Sequence, residues 1–130
     1  FENLQHIINL FKRGQSPIKL KRIGREDNEI WHYDVDFSDT KVLIIEWTHS
    51  NSDNLNGVDI PILLNSTPQE TLEHRRSRNR DGAVDSPFTT MVLEIEQEML
   101  KKQAHKAKII ISKQGKLMSY EEYCELMGCE

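Results

Sequence analysis

The sequence predicts an α+β fold: an antiparallel three- to four-stranded sheet built on a central hairpin at about residues 29–48, packed by an N-terminal helix and a long helix at about residues 87–106, with a short C-terminal helix. Three observations carry this. Leu4, Ile7, Ile8 and Phe11 recur at helical spacing and stop before Gly14 and Pro17. Residues 29–37 and 41–48 alternate apolar and polar and are rich in Ile, Val, Trp, Tyr and Phe, with Ser38-Asp39-Thr40 between them. Phe88, Met91, Val92, Ile95 and Met99 trace a second, longer helical stripe.

In chain order, the first helix is expected over residues 2–13, a short strand over 18–23, and a polar turn over 24–28. The two alternating runs form the hairpin. His49 to Gly57 is turn-forming throughout and reads as a mobile loop. Val58 to Leu64 is a strand, and Pro61 within it, which lacks an N–H, argues for an edge position. Thr67-Pro68-Gln69-Glu70 is a capping box that starts a helix. Its continuation to Arg80 has only Leu72 as a large apolar side chain, so it can bury little, and residues 74–85 read as a second mobile loop. Ser86-Pro87 opens the long helix, whose Glu94, Glu96 and Glu98 precede Lys101, Lys102 and Lys106, an order that suits the helix dipole. Lys108 to Ser112 is a strand and Gly115 a turn. Ser119 and Glu122 form a second capping box, with Met118 and Tyr123 as its hydrophobic staple and Gly128 as the stop.

Composition bounds the function. At 130 residues the chain is expected to be a single domain over 1–130, and its opening Phe suggests a fragment of a larger protein. The longest apolar runs, Val42–Ile45 and Ile109–Ile111, are far short of the roughly 20 residues of a membrane span. The net charge of -4, from 17 basic and 21 acidic residues, disfavours binding of nucleic acid over the whole surface. Cys124 and Cys129 are too few for a disulfide scaffold and read as free thiols of a cytoplasmic protein.

The hairpin carries the sharpest chemical inference. With a three-residue turn, Val35 faces Leu43, Tyr33 faces Ile45 and Trp31 faces Trp47, which leaves one face wholly apolar. The other face carries His32, Asp34, Asp36 and Glu46 among Ile30, Val42 and Ile44. Cross-strand Cβ atoms lie about 5 Å apart and diagonal ones about 7 Å, so imidazole and carboxylates could converge on one ion. Imidazole with carboxylates suits zinc, manganese or iron and carboxylates with water alone suit magnesium, so that magnesium or manganese is the expected cofactor if there is one. A wet sheet face would carry the same residues with no chemistry.

A helix, a three-stranded meander, a helix and a further strand together resemble the core order of the PD-(D/E)xK nuclease superfamily. Asp34 and Glu46 match the family's metal-binding carboxylates in position, over roughly residues 2–112. Thr48 stands where the family's Lys falls, and no Pro-Asp pair is present. The resemblance implies that Asp34 and Glu46 hold a metal that activates water against a phosphodiester, with His32 as ligand or base.

His74-Arg75-Arg76-Ser77-Arg78-Asn79-Arg80 is the one dense basic patch. Arginine forks match phosphate oxygens, so Arg75, Arg76, Arg78 and Arg80 are candidates for phosphate or partner contact. A solvated helix end accounts for them equally well. His49, Ser50 and Asp53 sit too close in one loop for a hydrolase triad, and Cys124 and Tyr123 fall on a core stripe.

The expected function is a cytoplasmic binding or regulatory domain acting through contacts with another protein, at the 58–64 edge and the arginine segment. The alternative is a metal-dependent nuclease or phosphodiesterase, with His32, Asp34 and Glu46 catalytic and Asp34, Asp36, Glu46 and His32 on the metal. A second alternative is a nucleic-acid-binding module that uses the arginines without cleavage.

Overall fold

The computed structural model describes residues 1–26, 28–78 and 86–129. Its class is α+β, with four helices and two sheets among the described residues, and it divides into two compact units. One comprises Phe1–Ile45 with Asn54–Val58, the other Glu46–Asp53 with Asp59–Glu130.

In the first unit, α1 (Glu2–Lys12) buries Ile8 on the stripe read from the sequence, and Lys12 in its last turn suits the dipole. Strands β1 (Ile18–Ile23) and β2 (Ile30–Val35) pair antiparallel, with Ile18 opposite Val35 and Ile23 opposite Ile30. The core here is Ile8, Ile18 and Leu55, bordered by a T-shaped contact between Phe11 and Phe37 at 5.8 Å. Residues 54–58 are bound to α1 through Gln5, which donates to Asn56 O at 3.0 Å and accepts from Asn56 N at 2.7 Å. Lys12 Nζ donates to Gly57 O at 2.9 Å. Gly57 has a left-handed φ of 86° and lies against Ile8, so any side chain there would be strained as well as crowded.

The pairing of β2 differs from the hairpin expected at 29–48. Its partner is β1, and residues 41–47 form no strand. The local reasons are visible. Gly24 N donates to Glu29 O at 2.7 Å, and the Glu29 carboxylate accepts from Arg25 N and Glu26 N, which fastens the β1–β2 turn. Leu20 lies opposite Tyr33, and Lys19 lies opposite Asp34, so both faces of the ribbon match.

In the second unit, β3 (Ile62–Leu64) and β4 (Ile109–Ile111) pair in parallel, joined through α2 (Pro68–Arg78) and α3 (Pro87–Ala104). Strand β5 (Leu117–Met118) adds antiparallel to β4, giving the order β3-β4-β5, with β3 at an edge as Pro61 implied. This sheet is mixed, not wholly antiparallel, because a helical crossover permits a parallel return. Leu63, Ala104, Ile110, Tyr123 and Met127 make its core, with Leu100 and Met118 against it. The predicted caps form. Thr67 N donates to Glu70 Oε2 at 2.9 Å, Thr89 N to Ser86 Oγ at 3.2 Å, and Ser119 and Glu122 close the box of α4 (Tyr120–Met127), which ends at left-handed Gly128. Cys124 and Cys129 are joined as a disulfide, Cα atoms 4.7 Å apart, in place of the free thiols expected. The turn at Gly128 brings the two residues together.

Residues 74–78, read as loop, are the end of α2. The remainder of that segment, 79–85, lies outside the described residues. Among the described residues, no helix is long and apolar enough to cross a membrane.

Candidate functional site

Strand parity places His32 and Asp34 on one face of β2, as the sequence implied, because alternation belongs to the strand whatever its partner. What stands across from them is different. Lys21 opposes His32 and Lys19 opposes Asp34, where the hairpin would have placed Glu46 and Ile44. Two lysines repel a cation and give the Asp34 carboxylate an opposite charge to face.

Asp36 is engaged otherwise. It accepts from Ser16 Oγ, from Ser38 N at 2.9 Å and from Ser38 Oγ at 2.7 Å. The Ser16 hydroxyl, then the Ser38 amide and hydroxyl, bring its pKa down to about 2. All three bonds fall on its Oδ1, which closes the turn after β2. Glu46 is exposed and belongs to the other unit. Among the described residues, no group of three or more His, Cys, Asp or Glu is placed to hold a metal ion. The strand meander that carried the nuclease resemblance is likewise not formed, since residues 41–47 are not a strand.

Three of the arginines lie within one helix turn. Arg75, Arg76 and Arg78 occupy the last turn of α2, a helix with no buried residue among its 11, as its single large apolar side chain implied. Cations there also answer the free carbonyls of the helix end. Arg75 is half-buried and bonds Glu96 of α3 at 3.4 Å. Arg78 Nη1 lies 3.4 Å from His74 Nε2. Arg76 and Arg78 are exposed. Arg80 lies outside the described residues.

Several contacts hold the first half of this helix, and the sequence reading did not single them out. Lys113, in the β4–β5 turn, lies 3.9 Å from Glu73, and Gln114 donates to Glu70 at 3.2 Å. Gln97 of α3 donates to Ser66 O at 3.0 Å, ahead of the helix. The Thr67 amide, first among several donors, holds the Glu70 carboxyl below its ordinary range. The Glu96 and Gln97 contacts left only a weak signal: polar residues on the α3 face that turns inward, with Gln97 buried at the helical spacing of Leu93 and Leu100.

The remaining carboxylate candidate, Asp53, lies 3.7 Å from Lys106 and 4.0 Å from His105. Lys106 also donates to Ser52 O at 2.7 Å, and Asn51 to Ile62 O at 3.0 Å. The 46–53 stretch is thereby bonded to its own unit, and the His49 ring packs on Trp47. This is a structural network and not a triad.

No protein-family model and no solved structure matches the chain. Among curated proteins it is similar to the bifunctional alpha-galactosidase/sucrose kinase AgaSK of Mediterraneibacter gnavus, at 44% identity over 122 residues. The matched stretch is 94% of this chain and 13% of that relative's length. At that coverage the similarity takes in both compact units.

Proposed function

We propose that this chain is part of a sugar kinase, and that Arg76 and Arg78 of α2 hold the phosphate groups of the phosphoryl donor while Arg75 is steadied by Glu96. The carrying observation is the arginine-rich end of α2, where Glu96 holds Arg75 while Lys113 and Gln114 hold Glu73 and Glu70 earlier in the helix, in a chain similar to a protein named for both a galactosidase and a kinase. Phosphoryl transfer asks a protein chiefly for positioning and for cations on the phosphoryl oxygens, and guanidinium forks meet both needs. Glycoside hydrolysis asks instead for two carboxyl groups facing one sugar. Four of the carboxylates described above have other work: Asp36 closes a turn, Glu70 caps α2, Glu96 pairs with Arg75, and Asp53 lies by Lys106. These 130 residues contain no glycine-rich phosphate loop, so the cradle for the donor belongs elsewhere in such a kinase.

The test is transfer of phosphate from ATP to sucrose by the full-length protein. Arg76→Ala with Arg78→Ala should lower kcat by about 10²-fold or more, while the KM for the sugar moves less than about threefold. A kcat within about twofold of the parent overturns the reading. If transfer is unaffected and the same arginines instead support salt-steep binding to a short DNA duplex, the nucleic-acid module is the better account.

A further inference from the structure

The β3-β4-β5 sheet is covered on one face. Strand register places Leu63, Ile110 and Met118 together on that side, with Leu63 4% and Ile110 3% exposed. The alternate residues, Ile62, Leu64, Ile109, Ile111 and Leu117, are all apolar and share the opposite side. There Ile62 is 44%, Leu64 71% and Leu117 76% exposed. Parallel strands with unbroken apolar runs occur where helices cover both faces of a sheet, and among the described residues this second face stays largely open. The outer edge of β3 is partly closed, since Ile62 O accepts from Asn51 Nδ2, so the open surface is the face.

We propose that this face seats an amphipathic helix supplied by the same polypeptide outside these 130 residues. The size of the patch favours a tethered occupant over a free one. Three of its five side chains are exposed and the other two, Ile109 and Ile111, half-buried, so the patch falls well short of the about 800 Å² per partner that a stable interface between separate chains buries. A tether raises the effective concentration to about the millimolar range and makes so small a seat sufficient. The relative offers the length to supply it, since the similar stretch is 13% of that protein. This proposal does not rest on the phosphate reading, and either can fail alone.

The experiment reads thiol reactivity. Leu64→Cys and Leu117→Cys are made separately in the 130-residue chain and in the full-length polypeptide, labelled with a maleimide, and followed by peptide mass spectrometry. Both positions should react freely in the monomeric 130-residue chain and at least about tenfold more slowly in the full-length polypeptide, as a buried position does. Equal rates in the two contexts overturn the proposal. So does protection in the 130-residue chain that grows with its concentration, because the occupant is then a second copy.

Discussion

Asp36 accepts from three donors on two serines, and that geometry fixes its titration. Its folded-state pKa of about 2 lies below the ordinary 3.8, so the ionised form contributes stability that is present above about pH 4 and is lost as pH falls toward 2. Asp36→Asn should therefore flatten the acid limb of the stability curve in that window and leave the neutral region nearly unchanged in slope. Urea midpoints collected from pH 2.5 to pH 6 on both proteins check this. A variant whose midpoint falls with acid as steeply as the parent's would mean that other carboxylates set the acid limit. At this scale much was legible: alternation put His32 and Asp34 on one face before any partner was known. The Ser16 contact was not legible, because it joins residues 20 apart in sequence.

The elements divide according to how local their determinants are. Caps were readable because donor and acceptor lie three residues apart: Thr67 with Glu70, Ser86 with Thr89, Ser119 with Glu122. Pairing was not, since β2 had two alternating neighbours of suitable parity and the choice fell to the turn that Gly24 and Glu29 fasten. The parallel β3–β4 pair was hidden for a similar reason: its two strands are separated by the whole of α2 and α3. The arginine cluster was visible, but its partner Glu96 comes from another helix. The C-terminal helix adds a determinant that composition misjudged. The Cys124–Cys129 bond clamps its αL stop against a core that includes Met127 and Tyr123, and burial pushes the Tyr123 phenol up. Chain entropy for so short a loop is worth about 2 kcal/mol. Cys124→Ser with Cys129→Ser, or a dithiol reductant, should thus lower stability by up to about 2 kcal/mol in urea unfolding, with the loss concentrated in α4 amide protection. No change on reduction would show that the helix stop is held by Gly128 and the core alone.

For the whole molecule, the balance of apolar surface matters more than any single contact. Among the described residues, nine hydrophobic side chains are buried while eighteen large ones are exposed. Scattered exposed apolar residues are ordinary, but continuous stripes are associated with partners or with aggregation. Besides the open sheet face there is a second stripe, Phe88, Met91, Ile95 and Met99, along one side of α3. The same helix buries Leu93, Gln97 and Ala104 on its other side, so the stripe is not what holds α3 in place. Replacing Phe88 and Ile95 by Ser should accordingly cost less than about 0.5 kcal/mol each, the range of surface substitutions, while raising the concentration at which the chain begins to scatter light. Urea unfolding and static light scattering on the double variant separate the two effects. A loss above about 2 kcal/mol would place the stripe within the fold's own core, because only removal of buried apolar volume costs that much.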